Sequence, residues 1–167
     1  MFALRMVQLI ESHADRLASE LMRRLVASGR CRDLMRKVPA QELEMRTHEI
    51  YRHLSDYLLL KTESEMEAQY IGLGVRRVKQ DVPLSDLLFA LAATKECLWG
   101  YLEREGLLED PVELLGDLNL LHALGRFFDR IAYAVAVGYE SAYREENIHP
   151  PLGSVSTHAK SRSAKTA

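Results

Sequence analysis

The chain has 167 residues, 47% of them hydrophobic, with a formal net charge of −2 at pH 7. That is the length of one domain with a sizeable core; it is too apolar for disorder, and so small a charge gives no long-range pull toward nucleic acid or an anionic membrane. No run of about 18 uncharged apolar residues offers a membrane span, Arg5 and Glu11 interrupt any secretory-signal core in residues 1–12, and the two cysteines, Cys31 and Cys97, lie far apart, so the sequence reads as a reduced, cytoplasmic protein.

The first helix is expected from about Ala3 to Ala27. Ala3, Val7, Ile10, Ala14, Leu17 and Leu21 alternate steps of four and three, a heptad seam. Leu4, Leu9, Ala18, Met22 and Leu25 widen that seam into the face of a bundle helix. Gly29 suits the C-terminal stop. A basic connector over residues 30–39 leaves room for a short helical turn. A second helix is expected from Pro39 to Leu60, with Leu43, Thr47, Ile50, Leu54, Tyr57 and Leu58 as its stripe.

Ser64 and Glu67 have capping-box spacing, so a third helix is expected from Ser64 to about Gln80. Gly72 and Gly74 each weaken it by roughly 1 kcal/mol relative to Ala. Their expected use is to let another helix approach closely. They are not a nucleotide fingerprint, because no strand precedes them and the third glycine is missing.

Residues 70–101 organise the rest. A fourth helix is expected from Pro83, a good first helical residue, to Arg104, with a stop at Gly106. Leu84, Leu87, Leu88, Leu91 and Leu98 mark one face, and Asp86 suits the positive end of the helix dipole. Cys97 reads as a buried, inert thiol and Trp99 as a core or interface residue. Asp110, Pro111 and Glu113 open a fifth helix that runs to about Glu145. Leu114, Leu118, Leu121, Leu124, Phe128, Ile131, Val135 and Tyr139 are its main stripe, and Leu120, Phe127, Ala134 and Val137 make it apolar on a second side.

A helix of that kind is central, or it buries its second face against another subunit. A homodimer through this helix, the first helix or both is expected. Val7, Ile10, Ala14, Phe127, Ala134 and Gly138 are the candidate interface residues. After Asn147 the composition turns to Ser, Thr, Lys and Ala, which reads as a disordered basic tail over 147–167 behind a domain of 1–146. The expected fold is all-α, with five or six helices in a globin-like or bundle arrangement.

Chemistry is harder to find. No P-loop, Ser/His/Asp or Cys/His arrangement is recognisable, so no catalytic residue is assigned and an enzyme is not expected. A di-iron bundle needs Glu-x-x-His twice. Here Glu44 with His48, and Glu49 with His53, are four apart and read as ion-pair neighbours on a helix. His-x-x-x-His and Cys-x-x-Cys are both absent, so no zinc or other metal site is assigned.

His122 shares a polar strip with Arg126, Asp129 and Arg130. A phosphotransfer histidine resembles His-x-x-Lys-Gly; His122-Ala123-Leu124-Gly125-Arg126 lacks the lysine. Haem needs a histidine aimed into an apolar pocket. His53 and His122 are candidates only by default, neither lies inside an apolar stripe, and no cofactor is expected. A small ligand in a helical cavity is the second reading. Arg76, Arg77 and Lys79 are too few for a nucleic-acid surface.

Gly74-x-x-Arg77, then Asp81-Val82-Pro83-Leu84-x-x-Leu87-Leu88-x-Ala90-Leu91, then Lys95-x-x-Leu98-Trp99, resemble the N-terminal sensor domain of the RsbRD type, named for the RsbT co-antagonists of the bacterial stressosome. Leu9-Ile10-Glu11-x-x-Ala14-Asp15-x-Leu17-Ala18 and Phe127-Phe128-Asp129-Arg130-Ile131 are similar as well. The resemblance covers about residues 4–145. It implies an all-α, dimeric, non-enzymatic domain that passes a signal to an output module. In this sequence no such module follows, so the output is expected to be a separate signalling protein.

Overall fold

The computed structural model describes residues 2–60, 62–105 and 111–148. Those residues form an all-α fold of eight helical elements with no strand among them. The expected tail beyond Ile148, and the expected Asp110 cap and Gly106 stop, lie outside the described residues.

The expected first helix is two helices, α1 (Phe2–Ser12) and α2 (Ala14–Ser28), broken at His13. The Ser12 hydroxyl and the His13 ring both bond the Leu9 carbonyl, each at 2.9 Å. Side chains competing for a backbone acceptor in this way bend a helix. The seam survives the bend, since Ile10, Ala14, Leu17 and Leu21 are all buried. Gly29 closes α2 in the left-handed conformation, φ 63°, which costs glycine nothing.

The connector does hold a short helix, α3 (Arg32–Lys37). The expected second helix is also split: α4 (Ala40–Arg52) ends at His53, and a single π-helical turn (Asp56–Leu60) follows. The Ser55 N–H and hydroxyl donate to the Glu11 carboxylate of α1 at 2.8 and 2.6 Å. That amide is thereby taken out of the helical ladder. These two breaks, together with α3, are why eight elements stand where five or six were expected.

α5 (Glu63–Lys79) starts one residue before Ser64, because the capping box is Thr62 with Glu65. The Glu65 N–H donates to the Thr62 hydroxyl at 3.3 Å, and the Thr62 N–H to the Glu65 carboxylate at 2.9 Å. Both pairs show the Ser/Thr-x-x-Glu spacing; the upstream one is used. α6 (Leu84–Arg104) takes Pro83 as its N-cap, with ψ 140°, rather than as its first helical residue. α7 (Pro111–Ile148) is the longest element at 38 residues and runs unbroken through Gly138.

The main core gathers α1, α2, α4, α5, α6 and α7 around Ile10, Tyr51, Leu54, Leu98, Tyr101, Leu124, Ile131 and Val135. A smaller cluster of α2, α3, α4 and α6 side chains includes Leu21, Leu34, Val38, Ala93 and Cys97. Burying each large apolar side chain contributes roughly 1.5–3 kcal/mol. α5 and α7 pack most closely. A Cβ on Gly74 would collide with the Val135 carbonyl and lie 2.7 Å from the Tyr139 nitrogen, and a Cβ on Gly138 would collide with the Ile71 carbonyl. The expected close approach is therefore made at Gly74. Gly72 is exposed, with nothing within 4 Å of its would-be Cβ.

Candidate functional site

Buried polar contacts tie the helices together. Asp86 of α6 is 8% exposed. Its carboxylate accepts from the Asp33 and Leu34 amides at 3.0 and 3.1 Å. Those amides open α3, which has no side-chain cap of its own, so the cap comes from a helix some fifty residues away. Arg77 of α5 is 2% exposed and donates to Glu42 of α4 at 2.9 Å. Its side chain also reaches Gln80. Burial pulls the Arg77 pKa down and the Glu42 contact pushes it back up. The Tyr51 hydroxyl donates to the Thr94 carbonyl at 2.7 Å, and Tyr139 to the Val82 carbonyl at 2.9 Å.

The six candidate interface residues are buried within one chain. Val7, Ile10, Ala14, Phe127 and Ala134 are 0–4% exposed in the main core, and Gly138 faces Ile71. Within one chain these side chains go to the core. The reason is that the core-facing stripe and a subunit-facing stripe have the same period.

The histidines pair differently from their expected i,i+4 partners. His48 lies 3.1 Å from Asp15 of α2, and His53 lies 3.1 Å from Asp56. Glu49 instead takes Arg46 at 3.1 Å. His53 and His122 are both exposed, so neither points into an apolar pocket. Among the described residues, no group of three His, Cys, Asp or Glu side chains is placed to hold a metal ion. Cys31 and Cys97 are buried free thiols, and burial pushes both pKa values up. Trp99 is half-buried against the main core. No helix of the described residues is long and apolar enough to cross a membrane.

Two features remain for function. The first is the outward side of α7. Leu118 was expected in the buried stripe but is 42% exposed; Tyr133 is 66% and Tyr143 56% exposed. At about 100° per residue these three fall within roughly an 80° arc, together with His122, Asp129 and Glu140. Leu124, Ile131, Val135 and Gly138 occupy the opposite side.

The second is a cavity of about 60 Å³ between α4 and α5, lined by Arg46, Glu49, Ile50, Tyr57, Tyr70 and Arg76 among others. The Tyr70 hydroxyl and the Arg46 Nε are buried and make no hydrogen bond of full geometry to protein, although the Tyr57 hydroxyl lies beside Tyr70. Burial above all, with the neighbouring Tyr57 hydroxyl and the Glu49 carboxylate, holds the Tyr70 phenol well above its ordinary pKa. Sequence reasoning missed this site. Its lining comes from two helices and the π-helical turn, and only the i,i+3 steps Arg46–Glu49 and Tyr70–Leu73–Arg76 hint at shared faces.

The RsbT co-antagonist protein RsbRD N-terminal domain family matches residues 15–148. The chain belongs to this family. As an RsbRD N-terminal domain it is a regulatory domain of the stressosome-related kind. The match begins at α2 and runs to the end of α7. α1 lies before it, yet Met6, Val7 and Ile10 complete the same core. No curated protein and no solved structure matched the chain.

Proposed function

We propose that this RsbRD N-terminal domain is a non-catalytic sensor that works as a homodimer and signals through protein contacts, with the outward face of α7 as its contact surface. One observation carries the reading. Of the five exposed large hydrophobic residues among the described residues, Leu118, Tyr133 and Tyr143 share one arc of one helix. Tyrosine is enriched in interfaces, because its ring buries area while its hydroxyl finds a partner. Tyr143 is already held in place, stacked on Tyr139 with 6.4 Å between ring centroids. The domain works in the cytoplasm, where its two free, buried thiols suit a reducing compartment, and it passes its signal to a signalling protein.

Light scattering on the purified chain at micromolar concentration tests this. A dimer is expected for the wild type and a monomer for Tyr133→Asp combined with Tyr143→Asp. A dispersed wild-type monomer, or a dimer indifferent to both substitutions, overturns it.

The α4–α5 cavity favours a second reading, a sensor that binds a small ligand. At about 60 Å³, the cavity has room for roughly five water-sized groups. That is far short of a porphyrin, and with His53 and His122 on the surface the haem version of this reading has no support.

A further inference from the structure

The α4–α5 cavity has a definite chemistry. Its two orphaned polar atoms, the Tyr70 hydroxyl and the Arg46 Nε, are both hydrogen-bond donors at neutral pH. Native proteins rarely leave buried donors unpaired, so such a group calls for an explanation in the site's contents. Tyr70 is only 4% exposed. Arg46 engages Glu49 through Nη1, which leaves its Nε for another acceptor. Arg76 adds a second guanidinium to the wall, so two cations face one carboxylate. The rest of the wall is mostly apolar, made of Ile50, Leu73 and the rings of Tyr57 and Tyr70, with the Gln69 side chain beside them. An occupant must therefore present acceptor atoms with negative charge at one end and a short apolar group at the other. The volume admits about four to six non-hydrogen atoms.

We propose that this cavity binds a short-chain monocarboxylate, of the size of acetate to butyrate. Its carboxylate accepts from Tyr70, Arg46 and Arg76, and its alkyl end lies against Ile50 and Leu73. Inorganic phosphate has the charge and the size but gives the apolar wall nothing to bury. Water satisfies the donors but leaves the same wall wet.

The site also lies where an occupant matters. It is flanked by the Arg77–Glu42 contact and by the Gln69 amide donating to the Tyr57 hydroxyl at 3.0 Å. An occupant bridging Arg46 and Tyr70 draws α4 onto α5. α5 is in turn locked to α7 at Gly74 and Gly138, and α7 carries the proposed contact face. This step rests on reading the domain as a sensor.

The test uses the full chain with sodium propionate, against sodium chloride and sodium phosphate at equal ionic strength. Saturation-transfer NMR and thermal melting are the readouts. Saturation transfer to propionate is expected, with a Kd on the order of 1 mM and a rise in melting temperature. Tyr70→Phe is expected to weaken binding about tenfold while leaving the ligand-free melting temperature unchanged or higher, because it removes an orphaned donor. If Tyr70→Phe fails to fold, Arg76→Gln, on the exposed side of the lining, takes its place with the same expected loss. No transfer to propionate, equal or tighter binding of phosphate, or binding indifferent to these substitutions overturns the proposal. Light scattering reads dimer formation separately, so an empty site and a monomeric protein are distinguishable failures.

Discussion

Gly74 of α5 and Gly138 of α7 each face the partner helix's backbone: Gly74 meets Val135 and Tyr139, and Gly138 meets Ile71. The two helices touch main chain to main chain, with no flexible side chain between them to give way. Gly74→Ala and Gly138→Ala must push the helices apart. Each is expected to destabilise the protein by about 1–3 kcal/mol or more, against a helix-propensity gain of only about 1 kcal/mol. Gly72→Ala, two residues away with open space around it, is expected to stabilise by up to about 1 kcal/mol. Urea denaturation of the three variants checks this. If Gly74→Ala is as stable as Gly72→Ala, the close crossing is not needed.

Asp86 makes a separate prediction. α3 has only six residues and borrows its cap from this carboxylate. Asp86→Ala leaves two amides without their acceptor and is expected to cost about 1–3 kcal/mol. Asp86→Asn keeps one acceptor oxygen and is expected to cost less. Hydrogen exchange localises the effect, with faster exchange expected at the Asp33 and Leu34 amides. An Asp86→Ala protein with unchanged stability and exchange would sink this reading.

The contrast between these residues shows what a single sequence discloses. Gly74 stood out because glycine inside an apolar helix has little other use, and the helix-to-helix role follows from that. The heptad seam of α1 and α2 was legible for the same reason, since period and burial are the same fact. The breaks at His13 and His53 were not. They depend on hydrogen bonds from Ser12 to Leu9 and from Ser55 to Glu11, and a Ser in a helical pattern carries no mark of what it will bond. Leu118 failed in the opposite sense, because leucine on two sides of α7 does not say which side finds the core. The cavity lining was illegible because Arg46, Glu49 and Arg76 are ordinary charged positions of their helix faces, and Ile50 and Leu73 ordinary apolar ones, until α4 and α5 are set side by side.

Arg77 and Glu42 form an ion pair with one partner fully buried and the other at 23% side-chain exposure. Removing only the carboxylate leaves a buried guanidinium without its counter-charge. Glu42→Gln is therefore expected to lose more stability than a surface ion pair supplies. About 3 kcal/mol is the upper end, because Gln80 and solvent near Glu42 still serve the arginine. Arg77→Met in the Glu42→Gln background is expected to recover part of the loss, since a buried apolar side chain of similar length needs no partner. Chemical denaturation of the two single variants and the double variant gives the coupling energy. Strictly additive losses would mean that the pair contributes no net coupling.

Alkaline pH tests the buried thiols and phenols together. Folding raises the pKa of Cys31, Cys97, Tyr51 and Tyr70, in each case chiefly by burial. For an acid whose folded pKa is raised, the unfolded chain loses its proton first. The folded state then holds more protons, and stability falls as pH rises. Below the unfolded pKa values the contribution is fully present. The decline is expected to begin near pH 8.5, where unfolded cysteine ionises, and to steepen near pH 10 as unfolded tyrosine follows. Each group adds a slope of up to about 1.4 kcal/mol per pH unit until its own folded pKa is reached. Melting temperatures from pH 7 to 10.5 should follow that two-stage curve. In a Cys31→Ala, Cys97→Ala protein the first stage should vanish and the onset should move toward pH 10. An onset unmoved in the double variant would show that the thiols titrate alike in both states and that burial does not hold them neutral.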